Sequence, residues 1–269
     1  MTRLIRLTKH QALGNDFLVW IGGDVGLGPE MAMRWCERRR GVGADGLLIA
    51  LPQPDGVWQM VLFNADGSRA EMSGNGIRCF VQAVSEGRPG LYRINTDTGL
   101  REVALSATDD PNTVVASVEM GEVRAGRPSV FWNEVGAHPD RPVAHLDLGN
   151  PHTVVGVDDV TEVDLAAIGG RVPDVNLEVV HPGPEPTAIT MRVHERGAGI
   201  TEACGTGACA SAWAAVQWGL VPASVGEVLV HMDGGDARVL LNLPSPGRVT
   251  LVGPSVYIGS IEIPVGSGA

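Results

Sequence analysis

The sequence predicts an α+β protein made of two similarly built halves, each a sheet wrapped around a central helix. The main observation is a repeated motif, because residues 71–76 read EMSGNG and residues 202–207 read EACGTG, 131 positions further on. A second matching pair lies upstream, where residues 13–15 and 148–150 both read LGN. The same parts in the same order at similar spacing indicate an internal repeat.

Alternation of apolar and polar residues predicts the strands, and Pro and Gly mark where helices begin and end. Pro29 opens the first helix and Gly41 follows its end, while the PQPDG segment at 52–56 stops a strand. In the first half we expect strands at 4–8 and 17–20, a helix from Pro29 to Arg40, strands at 46–51 and 58–63, a helix at 73–86, and strands at 92–95, 103–105 and 114–120.

The polar, Gly- and Pro-containing stretch 121–128 is the best linker candidate, and the pattern then repeats. In the second half we expect strands at 143–148 and 153–157, a short helix at 164–169, strands at 175–180 and 188–194, a helix at 204–218, and a strand-rich tail at 227–265.

Bulk composition excludes several classes of protein. A chain of 269 residues with 44% hydrophobic residues suits about two domains with real cores. The net charge of −11 argues against a sequence-independent nucleic-acid binder. The chain shows no apolar signal core and no apolar run of the roughly 18 residues that a membrane span needs, so we expect neither a membrane nor a nucleic acid as partner.

Cysteine usage indicates a reducing compartment and no zinc site. The four cysteines form no Cys-x-x-Cys pair and no His-rich segment accompanies them. A cytoplasmic enzyme with reduced thiols fits best. The basic run at 38–40 is interpreted as a solvated helix end.

The two motif residues Ser73 and Cys204 stand where a helix begins, and Gly-x-Gly beside each lets the backbone approach a bound group. Helix N-termini offer unpaired N–H groups and partial positive charge, which suit a carboxylate. We expect this position to lower the pKa of the Cys204 thiol, making it a candidate acid or base. The alternatives are a small buried hydrophobe for Cys204 and an ordinary N-cap for Ser73. Burial as a small hydrophobe is the expectation for Cys36, Cys79 and Cys209.

If the halves face each other, a hydroxyl and a thiol could meet across one cleft, as a racemase or epimerase requires. Removing an α-proton from an amino acid pushes charge onto its carboxylate, which must be stabilised. Lys9 is the only lysine, and nothing supports a pyridoxal Schiff base there.

Polar side chains at predicted strand ends and turns complete the candidate site. Asn beside Gly is commonly a turn former, which explains Asn15 and Asn150 fairly well. It does not explain Glu195-Arg196, where a carboxylate beside a guanidinium can bind the two charged groups of one zwitterion. His152 and His194 are further acid–base candidates, with core or strand-end roles as the alternative. The candidate substrate-binding residues of this kind are Asn15, Asn64, Asn150, Asn176, Glu195 and Arg196.

Six segments together closely resemble diaminopimelate epimerase, a pyridoxal-independent amino-acid epimerase. They span nearly the whole chain in the family's order, and as a set they are highly specific. The segments are LGNDF at 13–17, GVGADG at 41–46, FNADGS at 63–68, GNGIRC at 74–79, GNPH at 149–152, and HERG at 194–197 with TEACGTG at 201–207.

The resemblance implies two pseudo-symmetric halves, residues 1–121 and 122–254, with a last strand at about 255–269 returning to the first half. It implies interconversion of LL- and meso-diaminopimelate, feeding lysine and cell-wall synthesis, in a cytoplasmic homodimer without a cofactor. It also implies that the Asn, Glu and Arg residues named above contact substrate. The backbone at Gly74-Asn75 and Gly205-Thr206 would bind the α-carboxylate.

One departure lies at the centre of the predicted site. The family uses two cysteines, whereas this chain has Ser73 at the first position, and a hydroxyl is a far weaker acid than a thiol. Cys79, six positions on and inside the predicted helix, cannot easily substitute. The serine is engineered, or it is natural and functional as in related hydroxyproline epimerases, or the chain has left epimerisation. A smaller departure is Gly46, where some relatives carry a substrate-contacting Gln.

Three functions therefore remain open at the level of sequence. The first is epimerisation of diaminopimelate, with Cys204 on one face and Ser73 on the other. The second is racemisation or epimerisation of another amino acid, or a one-sided isomerisation or dehydration, which a single thiol suits. The third is an inactive amino-acid-binding protein.

Overall fold

The computed structural model describes residues 3–22, 27–136, 138 and 140–265, with only the backbone described at Arg3 and Val265. The described residues fall into two compact units, one formed by 1–118 with 253–269 and the other by 119–252. Within these described residues no helix is long and apolar enough to cross a membrane.

Among the described residues, the first unit contains nine strands in whole or in part and two helices. In chain order these are β1 (Arg3–Ala12), β2 (Asn15–Ile21), α1 (Pro29–Cys36), β3 (Gly46–Pro52), β4 (Val57–Asn64), β5 (Arg69–Ala70), α2 (Gly74–Ser85), β6 (Gly90–Thr96), β7 (Gly99–Ala107), the start of β8 (Thr113–Glu122) and the end of β17 (Arg248–Val265). A short 3-10 turn, Pro54–Gly56, precedes β4.

The second unit repeats this arrangement around a longer helix. Its elements are the end of β8, β9 (Arg124–Ala125), β10 (Val143–Asp147), β11 (Pro151–Gly156), α3 (Leu165–Gly169), β12 (Asn176–Pro182), β13 (Ala188–Glu195), β14 (Gly199–Thr201), α4 (Gly205–Gln217), β15 (Glu227–Met232), β16 (Gly235–Leu241) and the start of β17. Two 3-10 turns lie at Trp132–Glu134 and Val160–Glu162.

Strand pairing shows the same order in both units. In the first, β1–β2 is antiparallel, β2–β3 parallel, β3–β4 antiparallel, β4–β6 parallel and β6–β7 antiparallel. In the second, β10–β11, β12–β13 and β15–β16 are antiparallel, and β11–β12 and β13–β15 are parallel. Each parallel pair requires a crossover, and α1 and α2 or α3 and α4 provide it. The predicted α+β class with pseudo-symmetric halves is therefore confirmed.

The long helix of each unit is buried. In α4 nearly every face is small or apolar, whereas in α2 the buried polar side chains of Asn75, Arg78 and Gln82 have hydrogen-bond partners. In α2 the residues from Gly74 to Ala83 are buried, and the helix packs on β1, β2, β3, β4 and β7. In α4 the Ala-rich run from Gly205 to Ala212 is buried against β10 to β13, β15 and β16. A helix that is apolar all round, such as α4, belongs in a core. The sheet-wrapped helix predicted for each half is confirmed.

Two local predictions differ from the structure. The first helix ends at Cys36 rather than Arg40, because Glu37 is extended and its carboxylate accepts hydrogen bonds from the N–H groups of Arg39 and Arg40. The predicted linker 121–128 contains the end of β8 and all of β9, which pairs antiparallel with β10. The other predicted helices and strands are present within a few residues of their expected ends.

Candidate active site

Ser73 is the N-cap of α2 in the first unit. Its Oγ accepts a hydrogen bond from the Gly76 N–H at 3.0 Å, so one otherwise unpaired N–H of the first turn is satisfied. A Cβ added at Gly76 would lie 3.1 Å from the Ser73 Cβ, which explains why glycine suits this position. The N-cap alternative for Ser73 is therefore present in the structure, and Ser73 remains half-buried.

A buried arginine holds the start of α2. The side chain of Arg78 is fully buried and donates to the Asn75 Oδ1 at 2.8 Å, the Gly74 carbonyl at 3.1 Å and the Pro254 carbonyl at 3.1 Å. Asn75 in turn donates to the Asn15 Oδ1 at 3.5 Å. Three of the predicted substrate-binding residues, Asn15, Gly74 and Asn75, are thus brought together.

A charged network that sequence analysis did not predict orients Asn15. The Asn15 Nδ2 donates to the Asp45 Oδ2 at 2.7 Å, and Arg38 bridges Asp45 at 2.7 Å and Asp16 at 2.8 Å. Lys9 pairs with Asp16 at 2.8 Å. Arg38 is ion-paired, and like Arg39 and Arg40 it is exposed, so the basic run 38–40 is solvated as predicted although it follows α1 rather than ending it.

The balance of charges around Asp16 favours its ionised form. Burial by itself would raise the pKa of Asp16, but hydrogen bonds from Arg38 and Lys9 and their positive charges outweigh it and lower the pKa. The sequence signal for this network was the Asp16 and Asp45 pair inside two of the family-like segments, with Lys9 and Arg38 upstream of each.

Cys204 occupies in α4 the position that Ser73 occupies in α2. Its Sγ accepts a hydrogen bond from the Gly207 N–H, with N and S 3.4 Å apart, and lies 3.5 Å from the Thr206 Oγ1. Cys204 is 5% exposed, so the thiol is nearly removed from solvent. The two motif residues are thus equivalent in local structure, each capping the central helix of its unit.

The expectation of a lowered thiol pKa at Cys204 is wrong. Burial is the largest cause and raises the pKa well above its usual value, and the negative charges of Glu195 and Glu178 raise it further. The hydrogen bonds from Thr206 and the Gly207 N–H act in the opposite direction but are smaller. The free protein therefore holds Cys204 as a neutral thiol.

Asn150 lies beside the start of α4 as Asn15 lies beside the start of α2. Its Nδ2 donates to the Thr206 Oγ1 at 3.2 Å, and its Oδ1 lies 3.1 Å from the His152 Nε2. His152 is buried, and its Nδ1 lies 2.7 Å from the Glu178 Oε1. Sequence analysis missed Glu178, although a carboxylate within the apolar strand NLEVV was an available signal.

Asn176, Glu195 and Arg196 meet at the ends of β12 and β13. The Asn176 Oδ1 accepts from the Arg196 N–H at 2.9 Å, and its Nδ2 donates to the Pro151 carbonyl. Glu195 accepts from the Thr201 hydroxyl at 2.5 Å and also bonds to Cys204. Burial raises the pKa of Glu195. These predicted residues are brought together with Cys204 in the second unit.

Some residues singled out by sequence lie apart from these hydrogen-bonded groups. Asn64 is exposed and donates to the Ser68 Oγ at 2.9 Å within its own turn. Gly46 pairs with Asn64 in the β3–β4 register, and a Cβ there would lie 2.9 Å from the Phe63 carbonyl oxygen. His194 packs on Gly169 and its buried Nδ1 has no hydrogen-bond partner among the described residues, which fits the strand-end alternative.

The remaining cysteines are buried, as predicted. Cys36, Cys79 and Cys209 are each at most 1% exposed. Burial raises the pKa of both Cys36 and Cys79 to about 12. Cys79 lies inside α2 and is not available to replace a first catalytic cysteine.

Comparison with known proteins identifies the family. The family model for diaminopimelate epimerase matches residues 7–125 and 145–256. The diaminopimelate epimerase of Synechococcus elongatus is 37% identical over 286 residues, covering 96% of this chain and 99% of the relative. That of Desulfitobacterium hafniense is 36% identical over 279 residues, covering 94% and 96%.

Solved structures support the fold at low sequence identity. A Bacillus anthracis phenazine biosynthesis protein of the PhzF family superposes with a TM-score of 0.74 at 15% identity, covering 98% of this chain and all of the other. A hydroxyproline epimerase from Agrobacterium vitis superposes with a TM-score of 0.70 at 15% identity, covering 99% and 94%. Together with the family match, these findings show that the chain belongs to the diaminopimelate epimerase family of isomerases.

Proposed function

We propose that this protein converts LL-diaminopimelate to meso-diaminopimelate by moving the α-proton between two side chains without a cofactor. The observation that carries the proposal is the equivalence of Ser73 and Cys204, each the N-cap of a buried helix and each followed by Gly-x-Gly. The relatives at 36–37% identity are named diaminopimelate epimerases, which supports this substrate. The alternatives are another amino-acid substrate, one-sided chemistry and a binding role.

Substrate binding follows from the charges at the two helix starts. The backbone N–H groups at the two helix starts, Gly74-Asn75 and Gly205-Thr206, would hold the α-carboxylate where negative charge develops when the α-proton leaves. The Glu195 carboxylate would hold the α-ammonium group, because it bonds to Cys204 and is half-buried, whereas Glu178 is fully buried against His152. Asn15, Asn64, Asn150, Asn176 and Arg196 would orient the remaining polar groups.

The raised thiol pKa gives substrate a role in activating Cys204. In the free protein burial and two carboxylates hold the proton on sulfur. An ammonium group bound beside Glu195 would offset that negative charge, so the thiolate becomes accessible only when substrate is present. The thiolate would then remove the α-proton, and the group on the opposite face would return a proton to the carbanion.

The low acidity of the Ser73 hydroxyl limits the rate that this mechanism can reach. A two-base reaction requires Ser73 to donate or remove a proton on the face opposite Cys204. A serine hydroxyl is a weak acid, and its oxygen already accepts the Gly76 N–H bond. We therefore expect slow epimerisation, and a faster reaction when Ser73 is replaced by cysteine.

The test is proton NMR of LL- and meso-diaminopimelate in D₂O with the protein, with Ser73→Cys and with Cys204→Ala. Cys209→Ala is the matched control, because Cys209 lies in the same helix but is fully buried. We expect α-proton exchange and epimerisation by the protein, a higher rate for Ser73→Cys, no reaction for Cys204→Ala and an unchanged rate for Cys209→Ala.

Other outcomes identify the alternatives. Epimerisation by Ser73→Cys alone would show a diaminopimelate epimerase disabled at one base. Exchange into only one epimer without inversion would favour one-sided chemistry. If neither the protein nor Ser73→Cys reacts with diaminopimelate but another amino acid is turned over, diaminopimelate is refuted as substrate. If no amino acid reacts, a binding role is left.

The cellular setting proposed for this reaction is the cytoplasm, where it would supply lysine and peptidoglycan synthesis. We propose a homodimer as the working assembly. Sedimentation equilibrium would give twice the chain mass of 28.2 kDa if this is correct and the chain mass if it is not.

A further inference from the structure

A chain of hydrogen bonds in the second unit ends at the Cys204 sulfur. It runs from the Glu178 Oε1 to the His152 Nδ1 at 2.7 Å and from the His152 Nε2 to the Asn150 Oδ1 at 3.1 Å. It continues from the Asn150 Nδ2 to the Thr206 Oγ1 at 3.2 Å and from there to the Cys204 Sγ at 3.5 Å. Glu178 and His152 are at most 1% exposed, so the far end of the chain lies in the core.

The protons in this chain can be assigned from the inventory of donors and acceptors. An asparagine carbonyl oxygen only accepts, so the His152 Nε2 facing the Asn150 Oδ1 must carry a hydrogen. Glu178 and His152 then share one further proton between Oε1 and Nδ1. In either location of that proton the pair has no net charge, and the Nε2–H is retained.

Burial of Glu178 disfavours the alternative in which the His152 Nε2 carries no hydrogen and accepts one from Asn150. With a bare Nε2, the neutral imidazole would carry its hydrogen on Nδ1 and Glu178 would remain an uncompensated carboxylate in the core. The Glu178 Oε2 is buried with no hydrogen-bond partner among the described residues, so that charge would be poorly satisfied. Burying an unpaired carboxylate is costly, and sharing the proton with His152 avoids the cost.

The direction of the chain follows from this assignment. Because Asn150 presents its carbonyl to His152, it presents its Nδ2 hydrogens to Thr206. The Thr206 oxygen accepts from Asn150 and its own hydrogen is left free to point at the Cys204 sulfur. A hydroxyl that donates to sulfur stabilises the thiolate, because hydrogen bonds to charged groups are stronger than neutral ones.

We propose that Glu178 is a positioning residue that acts through His152, Asn150 and Thr206 to make the Thr206 hydroxyl a donor to the Cys204 sulfur. This inference rests on the proposed acid–base role of Cys204, but it concerns the thiol itself and can be tested without turnover. The other carboxylate against the sulfur is Glu195, which does not belong to the chain.

A simpler account of Glu178 makes the opposite prediction. If Glu178 acted only as a negative charge near the sulfur, its removal would make the thiolate easier to form. If it acts by directing the chain, removal by an apolar residue makes the thiolate harder to form. The Glu178→Gln variant also distinguishes the two accounts. It removes the negative charge, but its side-chain amide can donate a hydrogen to a bare His152 Nδ1, so the His152 Nε2 keeps its hydrogen and the orientation of the chain is preserved.

The experiment is the rate of Cys204 alkylation by iodoacetamide in the protein, Glu178→Leu and Glu178→Gln, followed by peptide mass spectrometry at a pH below the thiol pKa. Glu185→Leu is the matched control, because Glu185 also bonds a histidine, His231, but at an exposed position. We expect about tenfold slower alkylation for Glu178→Leu and nearly unchanged rates for Glu178→Gln and the control.

Faster alkylation in both Glu178 variants would overturn the proposal in favour of simple charge. Unchanged alkylation in Glu178→Leu would show that the chain does not reach the thiol. The buried Cys36, Cys79 and Cys209 report on folding in the same digest, because each becomes reactive if the core opens.

The proposal can also be tested on the unsubstituted protein, in case Glu178→Leu fails to fold, by observing the ring nitrogens of His152 with NMR. In protein labelled with ¹⁵N at histidine, the imidazole signal that His152→Gln removes is assigned to His152. We expect a hydrogen-bearing Nε2 on that ring, and a bare Nε2 would overturn the proposal.

Discussion

His10 makes the first unit sensitive to acid. It is 2% exposed on β1, with its Nδ1 2.9 Å from the Gln82 Oε1 on α2 and its Nε2 3.0 Å from the Thr8 Oγ1. Burial lowers the pKa of His10 from 6.5 to about 4, although the hydrogen bond with Gln82 opposes the shift. The folded protein therefore holds a neutral imidazole between β1 and the helix that carries Ser73.

The sign of the effect follows from proton linkage. Below pH 6.5 the unfolded chain binds a proton at His10, whereas the folded chain binds it only when the pH falls to about 4. Stability from this group is complete above pH 6.5 and is lost as the pH falls through that window. A shift of this size corresponds to about 3 kcal/mol, since one pKa unit is worth about 1.4 kcal/mol.

Urea unfolding followed by circular dichroism, at pH values from neutral to about 4, would measure this loss. His10→Gln removes the titrating group, so the difference in unfolding free energy between protein and variant should shrink by about 3 kcal/mol across the window. His138→Gln, at an exposed histidine, is the control. A difference between protein and His10→Gln that stays constant with pH would refute the reasoning.

Three further predictions concern the helix starts and the buried thiols. A Cβ in Gly207→Ala would lie 2.6 Å from the Glu178 Oε1 and 3.3 Å from the Cys204 sulfur, so the Glu178 carboxylate must shift and the sulfur must give by a few tenths of an ångström. We expect kcat/KM to fall about a hundredfold; an activity within twofold of the parent would contradict this. Arg78→Met leaves the Asn75 Oδ1 and two carbonyls without their buried donor, and chemical unfolding should show a loss of about 3 kcal/mol or more; a loss below about 1 kcal/mol would mean that water replaces the guanidinium. Cys36, with a pKa of about 12, should resist iodoacetamide at neutral pH in the folded protein and react only when urea unfolds it; labelling in the native state would show that this core opens.

Local features were predictable from sequence because their causes lie within a few residues. The N-cap roles of Ser73 and Cys204 depend on hydrogen bonds to N–H groups three residues later. The hairpin between β1 and β2 needs positive φ at both turn residues, 54° at Leu13 and 82° at Gly14, and glycine signals such a turn. The internal repeat shows in the sequence that Asn15 and Asn150 occupy corresponding positions of the two halves.

The protonation state of Cys204 and the ion pairs beside Asn15 could not be predicted from neighbouring residues in the sequence. Helix position alone favoured a lowered pKa at Cys204, but the thiol lies among carboxylates from β12 and β13, which are distant in sequence. The network of Lys9, Asp16, Arg38 and Asp45 likewise joins β1, β2 and the segment after α1.

The sequence by itself determined the family, the α+β class, the central helices and the position of Ser73 and Cys204 at helix starts, since motif and hydrophobic period are local properties of the chain. Only the tertiary structure decided how deeply Cys204 is buried, which carboxylates face it, and how Glu178 reaches it through three other side chains. Desolvation and Coulomb energies depend on distances in space, and strand order sets those distances.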